Sequence, residues 1–335
     1  MKYLFELSKE HRSLPRAEIL ACLQAEDIDY KIKESNENIL IIEINSKTDI
    51  VTRLSNRLSF TYYIDEYIFS CSPFIEEIKT NASKNVISEE GSIAIKYKNR
   101  SNNVNSQPIV GILADVYTKN RKVTLKNPDI EVRAIITDSK LYVGLKKSEI
   151  NISQYIERRV QNRPFFSPIS LHPKLARALV NLSTVRIGET LLDPFCGTGG
   201  IIIEAGLIGI KVVGSDIEEK MIEGCKKTME FYNIKNCKLY CADIGKVDKY
   251  IGEVNAIVTD LPYGKSTTTK GEKIIQLYTR SFENISKLLK TGGKAVVGIQ
   301  NKDLISFGEK YLSFLEKHSF RVHRSLTRYF AVFQK

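Results

Sequence analysis

Leu191-Leu192-Asp193-Pro194-Phe195-Cys196-Gly197-Thr198-Gly199-Gly200 is the stretch that decides the fold. Two apolar residues ending on an acid, then a glycine-rich turn, then the run Ile201-Ile202-Ile203, read as strand, tight turn and helix. Gly197, Gly199 and Gly200 let the backbone turn sharply and approach a ligand closely before the helix starts. Such a unit opens a doubly wound α/β sheet, where ligands sit beyond the carboxyl ends of the strands at the switch in strand order.

The rhythm on either side agrees. The pattern predicts a helix over 172–181 before the strand 190–192, then a helix over 200–207, a strand at 211–215 and a helix over 218–232. Strands follow at 238–241 and 256–259, a helix at 273–289 and a strand at 295–299. A helix over 304–317 and a strand pair, 320–324 and 327–333, close the chain. Short connections between alternating elements mean a mostly parallel sheet.

Three acids fall at strand ends. Asp193 ends the first strand, Asp216 ends the next, 23 residues on, and Asp243 ends the third. At these places an acid suits, in turn, a cationic group, the two hydroxyls of a ribose, and an adenine amino group. A nicotinamide dehydrogenase shares this logic, but its Gly-x-Gly-x-x-Gly loop cradles a pyrophosphate. Gly197-Thr198-Gly199-Gly200 departs from that spacing, and Asp193 would repel a pyrophosphate. S-adenosylmethionine (AdoMet), which carries a sulfonium and an ammonium, is therefore the expected cofactor.

The acceptor side is read from Asp260-Leu261-Pro262-Tyr263, directly after the apolar run Ala256-Ile257-Val258-Thr259. An exocyclic amine on a base is a poor nucleophile because its lone pair is delocalised into the ring. Asp260 and the carbonyl of Leu261 can each accept a hydrogen bond from such an amine and aim its lone pair. Pro262 stiffens the turn, and Tyr263 offers a face on which an extruded base can stack. Taken alone, the tetrapeptide reads more simply as a tight strand-end turn; the ordered acids before it favour the catalytic reading.

Other features have plainer readings. Cys196 fills a tight loop, since no histidine is placed to activate it. His172, before Pro173, suits helix capping. Arg163-Pro164-Phe165-Phe166 fits a hydrophobic clamp at a domain junction as well as a cofactor contact. Six scattered cysteines without a Cys-x-x-Cys pair, and four scattered histidines, predict neither a metal site nor disulfides.

The chain has 335 residues, 42% hydrophobic and 27% charged, enough for two domains. No stretch approaches the ~20 apolar residues of a membrane span, and Met1–Leu7 is too short and too acidic for a signal peptide to be expected there. A cytoplasmic protein is expected. The net charge of +11 is uneven: residues 1–150 hold 22 Lys/Arg against 21 Asp/Glu, and residues 151–335 hold 28 against 18. Arg158, Arg159 and Arg163 cluster near the junction, and Arg321, Arg324 and Arg328 near the C-terminus. This asymmetry suits a polyanion partner, and equally a solvated surface.

The first half reads as small α+β units. Strands are expected at 3–7, 39–44, 93–97, 130–136 and 141–145, with helices near 15–24, 49–58, 74–82 and 108–117. Residues 146–161 are polar enough for a linker.

With these residues in hand, the C-terminal half resembles the Rossmann-fold AdoMet-dependent methyltransferases of the Asn/Asp-Pro-Pro-Tyr type, and most of the chain is similar to the archaeal tRNA guanine-10 N2-methyltransferases. The likeness rests on residues 163–177, 193–200 and 323–328, and on 125–133, which resembles the core of a THUMP domain, an RNA-binding module. Leu261 departs from that pattern, which has proline there, although only its carbonyl is needed. The resemblance implies a ferredoxin-like domain over 1–60, THUMP over 61–147, a linker over 148–162 and the methyltransferase domain over 163–335. It implies that Asp260 orients guanine N2, with Leu261, Pro262 and Tyr263 completing the catalytic set. The cofactor set it implies is Phe165, Phe166, Ser170, Asp193, Phe195, Gly197, Gly199, Asp216 and Asp243.

The THUMP region would grip the tRNA acceptor end. That half is nearly neutral, so a local patch must serve: Lys119, Arg121, Lys122 and Lys126, with Arg158, Arg159, Arg324 and Arg328 from the basic clusters. The product expected is N2-methylguanosine, or its dimethylated form, in tRNA. Ribosomal RNA guanine as substrate, and a THUMP RNA-binding protein without catalysis, are the alternatives; the THUMP likeness argues against DNA. A monomer is expected, with a small activating subunit left open.

Overall fold

A computed structural model describes residues 1–45, 49–165, 167, 170–262, 273–323 and 326–335, without the side chains of 322, 323 and 326. The chain divides into two compact units. One comprises Met1–Glu10, Ile28–Ser55 and Thr61–Ile150; the other comprises His11–Asp27, Asn56–Phe60 and Asn151–Lys335.

The first unit is built on β1 (Lys2–Leu7), β2 (Tyr30–Ser35), β3 (Ile39–Ile44), β4 (Thr61–Cys71), β5 (Ile93–Asn99), β6 (Ile130–Ile136) and β7 (Leu141–Glu149). The helix that follows β1 in the chain, α1 (Leu14–Ala25), belongs to the second unit. All seven strands form one sheet in the order β2-β3-β1-β4-β7-β6-β5, antiparallel except for the pair β5 and β6. The stretches expected as separate ferredoxin-like and THUMP domains therefore share a sheet, joined where Tyr3 on β1 pairs with Glu66 on β4. β3 is an almost unbroken aliphatic run, as a strand covered on both faces requires. After α2 (Ile50–Arg57), helices α3 (Ile75–Lys84) and α4 (Ser106–Tyr117) send Ile78, Ala82, Ile109 and Leu113 into a core with Val132, Ala134 and Val143.

The second unit is the doubly wound sheet. Its strands are β8 (Thr190–Asp193), β9 (Lys211–Asp216), β10 (Cys237–Cys241), β11 (Val254–Asp260), β12 (Leu289–Ile299), β13 (Ser313–His323) and β14 (Leu326–Gln334). They lie in the order β10-β9-β8-β11-β12-β14-β13. The first five are parallel, and β14 and β13 close the edge antiparallel. Strand order reverses between β8 and β11, which opens the crevice where such sheets bind ligands. The helices are α5 (Ser153–Glu157), α6 (Pro173–Leu182), α7 (Gly200–Gly206), α8 (Glu219–Phe231), α9 (Ile274–Leu288) and α10 (Ile305–Glu309). Alternate strand residues feed two cores. Ala256, Val258, Val296, Phe330 and Val332 pack with α1, α6, α7 and α8. Ile257, Val297, Ala331 and Phe333 pack with α9 and α10.

Helix α1 and residues 56–60 are locked to α6 by a buried polar cluster. The Glu18 carboxylate accepts from Ser59 N (3.0 Å), Ser59 Oγ (2.6 Å), Phe60 N (2.9 Å) and Asn181 Nδ2 (2.8 Å). Arg57 donates to the Val185 carbonyl (2.9 Å), and Arg177 to the Asn56 carbonyl (3.0 Å).

Two expectations are corrected here. Residues 304–317 are not one helix: α10 ends at Glu309, and 313–323 form β13. The reason is tertiary, since the backbone from Ser313 onward pairs with β14, beginning at Ser313 and Gln334. The stretch read as a polar linker carries the end of β7 and α5, whose Tyr155 is buried and donates to the Leu58 carbonyl at 3.0 Å. Among the described residues, no helix is long and apolar enough to cross a membrane.

Candidate active site

A cavity of about 300 Å³ opens at the switch between β8 and β11. Asp193, at the end of β8, is its most buried acid. Its Oδ1 accepts from Thr259 Oγ1 (2.7 Å) and Phe195 N (3.1 Å). Burial, helped by the charges of Asp216 and Asp260, pushes this carboxyl up to about 7. An acid at that depth, beside two other acids, is poised to receive a cation.

The turn after Asp193 follows the glycine pattern. Gly197 and Gly199 both have positive φ, +50° and +86°. At Gly199 a Cβ would also lie 2.6 Å from Cys225 Sγ, so α7 packs on α8 only because the side chain is absent. Cys196 is buried in this turn as a packing residue. Gly197 N donates to Asp216 Oδ2 (3.0 Å) and Glu218 N donates to its Oδ1 (3.0 Å), which fixes the carboxylate at the end of β9. Burial raises the pKa of Asp216. Ser170 and Thr198 share a hydroxyl hydrogen bond of 2.7 Å at the rim.

Asp243 lies two residues beyond β10 and caps a short 3-10 turn through Gly245 N (2.8 Å). Arg280 on α9 grips it with both terminal nitrogens, Nη1 to Oδ1 and Nη2 to Oδ2 (3.1 Å). Burial alone would raise this carboxyl, but Arg280 and the Gly245 N–H hold it below its ordinary value. Arg280 also lines the cavity, and sequence reasoning missed it. Its signal was its place three residues after buried Leu277, on the face of α9 turned to the cavity.

On the facing side, Asp260 ends β11 and opens into the same cavity, followed by Leu261 and Pro262. Leu261 N donates to the Gly298 carbonyl (3.0 Å), and Tyr278 donates to the Pro262 carbonyl (3.4 Å). Of the residues expected at the site, Ser170, Asp193, Phe195, Gly197, Asp216, Asp243, Asp260, Leu261 and Pro262 line one space. Gly199 supports it from the α7 terminus. Phe165 does not line it; its ring packs against Gly224 of α8, where any side chain would collide. Phe166 and Tyr263 lie outside the described residues. His172 caps α6, its Nδ1 accepting from Lys174 N (3.2 Å).

The arginines expected to meet RNA are mostly occupied. Arg158 forms a fork with buried Glu204 (2.8 and 3.0 Å). Arg328 is buried, with Nη1 3.1 Å from Asp260 Oδ2. Arg121 donates to the carbonyls of Ile87 and Glu89, both at 2.6 Å. Arg158 and Arg328 hold the fold and the site with side chains almost wholly buried, so a surface contact to RNA is corrected for these two, while Arg121 stays half-exposed. Lys119, Lys122, Lys126 and Arg159 are exposed, and Arg324 lies outside the described residues.

Comparison with known proteins finds relatives over the whole chain. The family described as RMKL-like, methyltransferase domain, matches residues 160–329. A DNA methylase family matches 26–227. A tRNA (guanine(10)-N2)-dimethyltransferase of Methanothermobacter thermautotrophicus is 33% identical, with all of both chains covered. One of Methanocaldococcus jannaschii is 31% identical over 99% of each chain, and one of Pyrococcus abyssi 36% identical over 69% of each. TrmN from Thermus thermophilus superimposes with a TM-score of 0.58 over the whole of both chains at 17% identity, a likeness of fold.

Proposed function

The chain belongs to the family of the tRNA (guanine(10)-N2)-dimethyltransferases, and from that membership we infer that it methylates the exocyclic N2 of guanine in tRNA, using AdoMet. We further propose guanine-10 as the target and both mono- and dimethylated guanosine as products. The observation that carries the reading at this site is that Asp193 and Asp260 open into one cavity at the strand switch.

The residues present fit AdoMet. It supplies an electrophilic methyl on a positively charged sulfur. We propose that Asp193, raised by burial, faces the cationic end, that Asp216 accepts from the ribose, and that Asp243, steadied by Arg280, accepts from the adenine amine. Gly197 leaves room for the ligand at the turn, and Gly199 lets the turn pack against α8. Asp260 accepts a hydrogen bond from the guanine amine, and the Leu261 carbonyl takes the second. Two acceptors draw the N2 lone pair out of conjugation with the ring and aim it across the cavity. Positioning and electrostatics then supply most of the rate, with no covalent intermediate on the protein.

For the first unit we propose tRNA binding through Lys119, Lys122 and Lys126, which are exposed beside Val123 and Leu125, both also exposed. We place the enzyme in the cytoplasm, acting as a single chain. The DNA methylase likeness shares the methyl-transfer half of this chemistry, while the full-length relatives carry tRNA names.

The test is mass spectrometry of nuclease-digested product after incubation with labelled AdoMet and an unmodified tRNA transcript, with duplex DNA and a ribosomal RNA fragment alongside. Label in N2-methylguanosine at tRNA position 10 is the expected result; label in DNA adenine would overturn it. Asp260→Ala should abolish turnover while AdoMet and tRNA still bind. Loss of AdoMet binding with the chemistry of the loaded enzyme intact would remove the assigned role.

A further inference from the structure

Arg328 stands where a surface arginine is least expected. Its guanidinium is buried and reaches from β14 across β12 to the end of β11, where Nη1 lies 3.1 Å from Asp260 Oδ2. Two interstrand steps span roughly 10 Å, which a long side chain can cover. The period of two puts the residues on one face. Ala256 and Val258 lead to Asp260, Val296 leads to Gly298, and Phe330 and Val332 continue the line from Arg328.

The strand between them is opened by Gly298, which pairs with Asp260 on one side and Phe330 on the other. A side chain at 298 would overlap Asp260 Oδ1 and press on the Phe330 ring at 3.1 Å. Glycine here gives the carboxylate its place and lets the guanidinium approach it.

We propose that Arg328 is a positioning residue for Asp260: it holds one carboxylate oxygen and favours the ionised form, in which the carboxylate is an acceptor for the substrate amine. The proposal rests on the role assigned to Asp260 above. An ionised carboxylate is a stronger acceptor than a protonated one, which would present a donor to an amine that needs acceptors. Asp260 also faces the Asp193 carboxyl at the end of β8, whose pKa its charge helps raise, and the Tyr278 hydroxyl on α9, raised by burial and by the same charge. A neighbouring acid opposes ionisation of Asp260; the cation from β14 opposes that effect.

The experiment follows methyl transfer to a tRNA transcript between about pH 5 and 9 for the full-length protein, Arg328→Gln, Arg328→Lys and Asp260→Asn. AdoMet binding by calorimetry and tRNA binding by filter retention accompany it. Arg328→Gln should lower kcat about 10- to 100-fold and move its acid limb to higher pH, with both KM values within about twofold. Arg328→Lys should keep the acid limb near the wild-type position and recover part of kcat. Wild-type kcat and acid limb in Arg328→Gln would overturn the proposal, as would weaker tRNA binding at unchanged kcat, the mark of an RNA contact. If Arg328→Gln does not fold, Arg328→Lys decides: a lower kcat at constant KM supports the role, and an unchanged kcat removes it. Full activity in Asp260→Asn would sink the parent reading; inactive Asp260→Asn beside normal Arg328→Gln removes only the part given to Arg328.

Discussion

At Asp193, binding and stability pull in opposite directions. Its carboxyl is raised from 3.8 to about 7 by burial, so the folded protein binds this proton more tightly than the unfolded chain does. The sign follows: the contribution is most favourable below pH 3.8 and is lost as pH rises toward 7, by up to about 4 kcal/mol. Asp193→Asn keeps an acceptor for Thr259 Oγ1 and Phe195 N. Its melting temperature should exceed that of the wild type at pH 8 and match it near pH 4 in calorimetric scans. The same substitution should weaken AdoMet binding. In the wild type, AdoMet should expel the Asp193 proton below pH 7, so affinity measured by calorimetry should rise with pH and level off above it. Equal affinity at pH 5.5 and 8 would show that no cation meets this carboxylate.

Among the elements, α1 carries the clearest energetic role. Removing the Glu18 carboxylate leaves Ser59, Phe60 and Asn181 donors buried without their acceptor. Glu18→Ala should therefore cost about 2–4 kcal/mol in a urea unfolding series, although Glu18 lies outside the cavity. The sequence made α1 legible as a helix but hid which core it serves, because its partners are far away in the chain. The parallel strands, α8 and α9 were legible because one apolar stripe or one short aliphatic run leaves little choice. β13 was not: 313–319 mixes apolar and polar residues with no dominant period, and pairing with β14 decides. β4 was hidden because Tyr62, Tyr63 and Asp65 interrupt any alternation, and Asp65 is buried beside Arg133. At the site, acids at strand ends could be read from the topology. Thr259 and Arg328 could not, since a strand threonine and an arginine on an inner strand each have commoner roles, and Arg280 left only the faint signal of its place after Leu277.

For the molecule as a whole, the division into units is not a cut at one residue. The second unit includes 11–27 and 56–60, so residues 151–335 alone lack α1 and the segment that holds Glu18. That fragment should give no cooperative unfolding transition by circular dichroism and no AdoMet binding by calorimetry; a folded, binding-competent fragment would refute the shared core. Deleting the first half is thus a poor test of tRNA recognition. Replacing Lys119, Lys122 and Lys126 together by Gln is better. It should weaken tRNA binding and flatten its salt dependence by up to about three counterions, leaving AdoMet affinity unchanged.

The hydrogen bond from Asn181 to Glu18 joins residues 163 positions apart. At roughly 5–20 residues per second, synthesis separates the two by roughly 8–30 s. During that time the strands of the first sheet are all synthesised, while α1 waits with its apolar face uncovered. The order of manufacture is therefore fixed by the chain path: the sheet that comes first has time to form before the catalytic half can close, and α1 is the segment a chaperone would have reason to hold.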